Sequence, residues 1–461
     1  MTADQSPNDF DIAIIGGGAG GVLTAIHALR LAEPGIRIAL VEPVARLAQG
    51  VAYATTHAEH LLNVPARRMS AFDDLPDDFV DFLVASDGEA ARESIAVSYA
   101  ERRRYGDYLR DRLQRARSGT AAHFEVLQDR VIGIDAVDSR QRLELESGRH
   151  LHARGIVLAV GNTPKPLPAR GAASLPPGSA LEAWDFDAIK RIPAEVEVCI
   201  AGSGLSMVDT ALSLAANGHR GRIHVLSRHA LLPLPHTAHV VAGFDADALR
   251  TMGLRQRMRH LRVAAREAIA AGQPWQAVLE RTRPLVQDLW CTLSVDDQRR
   301  FLRHVVRYWD VHRHRIASQV HAQLEALQAS GQMRLHRGRL DTVAREGERI
   351  RLTVLMHDRR SQQIDVDRVV NATGVEMRAQ LMRNPLLADL LGKGVARPGP
   401  HGIGIDTTRS GDMVDAEGVV QPRLLVVGSL RIGRLWESIA VPELRGQAES
   451  AARRLLAPSL L

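Results

Sequence analysis

Two stretches of this chain repeat one arrangement, a short apolar run followed by a glycine-rich loop and a helix-forming segment, and that repetition restricts the fold more than any other feature. In the first, Asp11-Ile12-Ala13-Ile14-Ile15 leads directly into Gly16-Gly17-Gly18-Ala19-Gly20-Gly21, after which Val22 to Leu31 reads as a helix. An apolar run without alternation suits a parallel strand buried on both faces. Gly16, Gly18 and Gly21 match the spacing GxGxxG, with Gly20 inside the same loop. Such a loop needs glycine for a tight turn, for a backbone bare enough to approach a pyrophosphate, and for close packing of helix on strand. The helix N-terminus adds free N–H groups and positive dipole for the phosphates. A second strand, Ile36 to Val41, ends on Glu42, 21 residues after Gly21. An acid there accepts the ribose hydroxyls of a bound dinucleotide.

The second copy runs from Val196 to Ala201 through Gly202-Ser203-Gly204-Leu205-Ser206-Met207 into a helix ending near Ala216, and Arg222 to Leu226 closes it. Gly202, Gly204 and Ser206 are its candidate cofactor residues. Met207 stands where the third glycine would be, which implies a helix slightly farther from its strand. After the closing strand the sequence reads Ser227-Arg228-His229 instead of an acid. A carboxylate there would repel a 2'-phosphate, whereas the Arg228 guanidinium can hold one, so the expected nicotinamide cofactor is NADPH.

Between and beyond the two copies lie further strand-to-loop elements. Arg130 to Ile134, with Val131 as a candidate cofactor contact, and Gly155 to Val160, ending on Gly161, form the far edge of the first unit. The Leu158-Ala159-Val160-Gly161 element resembles the segment that returns to the flavin in two-dinucleotide-domain flavoproteins, which makes FAD the expected ligand of the first loop. Ile350 to Met356 and Asp367 to Asn371 are strands, the latter opening into Ala372-Thr373-Gly374. Leu424 to Val427 is another, ending on Gly428-Ser429. Many FAD enzymes carry an aspartate where Ser429 stands. Residues 236–330 lack strand alternation and read as a helical insert, including a helix from Arg299 to Ala317 with Trp309 turned inward. The expected fold is therefore α/β, with two Rossmann-like dinucleotide-binding domains: residues 1–165 as the first part of a discontinuous FAD domain, 190–370 as the NADPH domain with the insert, and 371–461 as the return to the FAD domain. Prolines at 164, 166, 168, 176 and 177 mark the crossing between them.

Composition removes several alternatives. The net charge is +6, but all but three of the 59 basic residues are arginines, spread along the chain and often beside acids. With aromatics at 4%, stacking platforms for bases are scarce, so nucleic acid is not the expected partner. Cys199 and Cys291 are far apart in sequence, giving no CxxC redox pair, disulfide framework or zinc pattern. His312 and His314 lack i, i+4 spacing, and no metal site is expected. No window approaches about 18 uncharged apolar residues, and the first residues are polar and acidic, so a cytoplasmic protein without membrane span or signal peptide is expected.

Several further stretches are similar to the YdhS-like bacterial FAD/NAD(P)-binding proteins: Gly50-Val51-Ala52-Tyr53, His60 to Ala66, Met69-Ser70, Trp309 to Arg315, and Leu435 to Arg445. That group is related to flavin-dependent N-monooxygenases, including those that oxidise the amine of aspartate. The resemblance implies that Asn63 and Met69 lie near the flavin and that Trp436 to Ser438 close it from the other side. It implies an oxidoreductase in which NADPH reduces FAD and a flavin C4a-hydroperoxide passes one oxygen to a nucleophilic nitrogen or sulfur of a small, amino-acid-like substrate, with molecular oxygen as co-substrate. Two alternatives use the same sites: a reductase or electron-transfer flavoprotein serving a quinone or protein acceptor, and a flavoprotein that keeps its nucleotide sites for sensing. The oligomeric state is not encoded in any of these features.

Overall fold

The computed structural model describes residues 7–87, 92–137, 140–237 and 240–457. The chain forms two compact units, one from Met1–Thr55, Val64–Thr163 and Glu376–Leu461, the other from Thr56–Asn63 and Pro164–Val375.

The first unit begins with β1 (Asp9–Ile15), α1 (Ala19–Leu31) and β2 (Arg37–Val41). The strand residues Ile12 to Ile15 and Ile38 to Val41 are nearly all solvent-free, as expected of strands covered on both faces. A long helix, α2 (Arg102–Ser118), leads into β3 (His123–Leu127). A meander follows: β4 (Val131–Val137), β5 (Arg140–Leu145) and β6 (His150–Leu158), in which β4 pairs antiparallel with β5 and β5 with β6.

The second unit is built from β7 (Ala180–Glu182), β8 (Val198–Ala201), α3 (Leu205–Ala216) and β9 (Ile223–Ser227), then a run of helices that includes α4 (Leu254–Ala270), α5 (Val306–Arg313) and α6 (Ser318–Ala329). The chain returns through β10 (Met333–Arg337), an antiparallel sheet of β11 (Arg339–Glu346), β12 (Arg349–Leu355) and β13 (Ser361–Val366), and finally β14 (Arg368–Asn371). The central sheet is parallel throughout, in the order β10-β9-β8-β14-β7.

The expected helix from Arg299 to Ala317 is not continuous. A π-type turn spans Phe301–Val305, α5 stops at Arg313, and Ala317 caps α6. Tertiary pairing overrides the local helical pattern. Ile316 is buried, donates its N–H to the Leu234 carbonyl at 3.0 Å and accepts from His236 N–H at 2.9 Å, while the buried Arg315 side chain pairs with Glu280. Trp309 is half-buried, edge-on to Phe301 at 6.2 Å between ring centres. His314 has an acid within reach, Asp310 at 4.0 Å.

The chain then re-enters the first unit with β15 (Asp412–Val414), β16 (Val420–Val426) and the amphipathic α7 (Val441–Leu455). The eight-stranded sheet of that unit has the path β15-β16-β6-β1-β2-β3, with β4 and β5 joined to β6. Strands from the two ends of the chain thus flank β6, with β16 parallel to it on one side and β1 on the other. α1 and α7 pack on each other beside this sheet. The two dinucleotide-binding (Rossmann-like) units and the discontinuity of the first match the expected α/β class. Among the described residues no helix is long and apolar enough to cross a membrane.

Candidate cofactor sites

In the first unit the C-terminal ends of β1, β6 and β16 open onto one edge of the sheet, the edge at which open α/β sheets bind ligands. Gly16 has φ +106°, and a Cβ there would collide with the Ala159 carbonyl oxygen. A Cβ on Gly21 would strike the Gly16 carbonyl oxygen. These two glycines are what let α1 begin immediately against its strand. The helix starts at Ala19, three residues before the apolar pattern suggested, with Gly18 as its N-cap. Gly20 faces Val427, Ala159 and Leu444. The first N–H groups of α1 have no acceptor within the helix and line the loop.

Glu42 follows β2 directly. Its Oε2 accepts the Gly17 N–H at 2.6 Å and its Oε1 the Val44 N–H at 3.1 Å. The carboxylate therefore also orders the loop at whose edge it stands. Val131 is buried at the start of β4, and Gly161 follows β6 with φ +73° and open space around it. Met69 is buried, next to the short turn Ala66–Arg68. Asn63, in contrast, groups with the second unit, where its carbonyl accepts from His236 Nε2 at 2.9 Å. The segment carrying Asn63 is fixed there by His60, fully buried, whose Nε2 lies 3.0 Å from the Asp209 carbonyl and 2.9 Å from Ser213 Oγ, both on α3.

At the end of β16, Gly428 adopts φ +91° and ψ −137°. Ser429 is buried, and its Oγ has no hydrogen-bond partner among the described residues. A buried hydroxyl left unpaired is costly, and a bound polar ligand is one explanation for it. Trp436 is half-buried, and Ser438 is buried with its Oγ donating to the Gly428 carbonyl at 3.0 Å.

The second unit repeats the construction with different chemistry. Gly202 has φ +119°, and a Cβ there would meet the Ala372 carbonyl oxygen. Gly204 caps α3, and the Ser206 hydroxyl in the first turn accepts from Trp184 Nε1 at 3.3 Å. Met207 is fully buried, filling the place of the third glycine. Thr373 donates its hydroxyl to Asn371 Oδ1 at 2.7 Å, and the Gly374 carbonyl accepts from Lys165 N–H at 3.1 Å, so both are fixed at the end of β14.

Ser227, the last residue of β9, is bonded through its hydroxyl to Ser203 Oγ at 2.8 Å and to the Ala230 N–H at 3.0 Å. Arg228 and His229 project from the turn that follows, and Arg337 lies directly across from Ser227 on β10. Arg228 sits below the ordinary arginine range, first through partial burial and then through the like charge of Arg307. His229 is likewise lowered by burial and by Arg228, Arg337 and Arg307. No acid pairs with Arg228 among the described residues. Arg307 is paired with Asp310 at 3.2 Å, which leaves the Arg228 guanidinium as the cation suited to an incoming anion. Arg307 and Arg337 were not legible as members of this cluster, because strand register and the packing of α5 bring them there.

Cys199 is buried in β8, where burial pushes its thiol up to about 12, and Cys291 is exposed. Among the described residues no group of three metal-ligating side chains is found.

Residues 13–163 match the family model described as FAD-NAD(P)-binding. No curated protein matches the chain. Among solved structures, the chain is similar to ornithine N-hydroxylase from Kutzneria sp. 744, at 17% identity and a TM-score of 0.67, over 97% of this chain and 99% of that one. L-lysine 6-monooxygenase from Pseudomonas syringae is similar at 16% identity and 0.67, over 98% and 99%. Bacillithiol disulfide reductase from Staphylococcus aureus is similar at 15% identity and 0.59, over 98% and 99%. At these identities the likeness establishes a shared fold, that of a protein with two dinucleotide-binding domains.

Proposed function

We propose that the chain is an FAD- and NADPH-dependent oxidoreductase that oxygenates a nucleophilic nitrogen, or sulfur, of a small amino-acid-like substrate. The observation that carries the cofactor assignment is the pair of glycine loops, one followed by the carboxylate of Glu42 and the other by Ser227 and an arginine cluster. The first suits a dinucleotide with free ribose hydroxyls, the second one with a 2'-phosphate. When bound, FAD would supply the redox chemistry that links NADPH, molecular oxygen and the substrate.

What the chain's own residues contribute is binding, orientation and exclusion of water. Gly16, Gly18, Gly20 and Gly21 with the first turn of α1 hold the flavin pyrophosphate, and Glu42 the adenosine ribose. Ser429 would offer a hydroxyl on the flavin side, and Met69 and Trp436 would add apolar cover against water. In the second unit Gly202, Gly204 and Ser206 take the NADPH pyrophosphate and Arg228 its 2'-phosphate. The family model supports the dinucleotide reading of residues 13–163. The oxygenase reading draws support from the shared fold with ornithine N-hydroxylase, a complex with reduced FAD, NADP+ and L-ornithine. It also agrees with the YdhS-like motifs at Gly50–Tyr53 and Leu435–Arg445. A dithiol reductase finds no matching cysteine pair here, since Cys199 is buried and Cys291 lies elsewhere in the chain.

Rapid mixing of NADPH-reduced protein with oxygen tests this. A transient absorbance of an oxygen adduct, shortened in life by the correct amine or thiol and accompanied by less free peroxide, is expected. Direct one-step reoxidation by oxygen, together with fast reoxidation by a quinone or protein acceptor, overturns the oxygenase reading in favour of a reductase.

A further inference from the structure

Gly428 is held at both ends of its peptide by side chains from the same unit. Its N–H donates to Gln447 Oε1 at 2.9 Å, and its carbonyl accepts from Ser438 Oγ at 3.0 Å. Gln447 Nε2 in turn donates to the Ser438 carbonyl at 2.8 Å. The three bonds close a ring through Gly428, Ser438 and Gln447. The orientation of the Gln447 amide follows from its partners, because an N–H needs an acceptor and a carbonyl needs a donor. Only a side chain with both functions on one planar group makes both bonds.

The ring spans two unusual backbone features, one free to move and one strained. Gly428 lies at positive φ, where a glycine peptide can swing at little cost unless it is fixed. Trp436 has φ +63° and ψ −72°, and the Glu437 N–H donates to the Leu435 carbonyl at 2.9 Å. That is a γ-turn of positive φ, rare for any residue and strained for a bulky one. Strain of this kind persists only where the surroundings over-determine it. Ser429, with its unpaired buried hydroxyl, is joined directly to Gly428.

We infer that Gln447 is a positioning residue of the flavin site. By fixing the Gly428 peptide and the Leu435–Ser438 turn together, it holds the Ser429 hydroxyl and the Trp436 turn in one arrangement against bound FAD. This rests on the reading of the first unit as the FAD site.

Gln447→Met keeps the side-chain length and removes two bonds of the ring, and Ser438→Ala removes the third. Both are compared with the unaltered full chain for FAD affinity, for the visible circular dichroism and midpoint potential of the flavin at saturating FAD, and for thermal midpoint. Gln447→Met is expected to weaken FAD binding roughly tenfold and to change the dichroism and potential of the flavin that remains bound. Ser438→Ala should move the same signals in the same direction by less. The double variant should be no worse than Gln447→Met, because the ring is already broken. A folded Gln447→Met protein with unaltered affinity, dichroism and potential, or with only a lowered thermal midpoint, overturns the role of Gln447. If that variant does not fold, Ser438→Ala decides on the same readouts. An unaltered chain that takes up no FAD overturns the FAD reading as well, which separates the two failures.

Discussion

Glu42 and Ser227 hold the same place in two copies of one β-α-β unit. Each comes directly after the residue that accepts the N–H of the first loop glycine, Gly16 N–H to the Val41 carbonyl at 2.9 Å and Gly202 N–H to the Leu226 carbonyl at 2.8 Å. Each also accepts a hydrogen bond from the next loop residue, from Gly17 in one unit and Ser203 in the other. One position thus carries a carboxylate in the first unit and a neutral hydroxyl beside an arginine in the second, and the ligand preference proposed for each loop rests on that difference.

Glu42→Ala removes two accepted bonds and the charge proposed to face the ribose. FAD affinity should fall by about 1.5–3 kcal/mol, on the order of tenfold to a hundredfold. Dialysis followed by flavin absorbance measures it. Full flavin occupancy after extensive dialysis contradicts the role given to Glu42.

Arg228→Ala should raise the KM for NADPH on the order of tenfold to a hundredfold and leave that for NADH nearly unchanged, since only one cofactor carries the 2'-phosphate. Arg337→Ala, opposite Ser227, should act in the same direction more weakly. Equal use of both cofactors by the unaltered protein removes the basis for this expectation.

Gly21→Ala and Gly204→Ala should part company. The first drives a methyl into the Gly16 carbonyl, and the second meets nothing within 4 Å at an ordinary negative φ. Gly21→Ala is therefore expected to lower stability by about 3 kcal/mol or to prevent accumulation of folded protein. Gly204→Ala should fold normally and lose NADPH affinity through hindered approach of the pyrophosphate. Thermal melts and cofactor titrations distinguish the outcomes.

His236 is lowered to about 4, mainly by burial and then by the charge of Arg315, and its Nε2 serves the Asn63 carbonyl. A histidine depressed in the folded state takes up its proton earlier in the unfolded chain, so its contribution to stability is present above about pH 6.5 and is lost as pH falls toward 4. Urea midpoints should decline across that window. His236→Gln, which can still donate to Asn63, should flatten the decline, and an unchanged slope would count against this histidine as a source.

The two glycine loops and the α/β class were legible because local chemistry fixes them. A tight turn with close backbone approach admits glycine alone at Gly16 and Gly21, and strands buried on both faces must be apolar throughout. The helix around Trp309 was read too long because periodicity does not register the backbone bridge that draws Ile316 out of it. Other features arise from residues far apart in sequence. Residues Thr56–Asn63 group with the second unit through His60 and α3, Arg337 reaches Ser227 through the register of β9 and β10, and Gln447 meets Gly428 only because α7 folds back beside the sheet. Sequence determined the parts whose requirements are met within a few residues of the chain. The tertiary structure decided which distant donor satisfies which acceptor, because that depends on packing and register that no local pattern records.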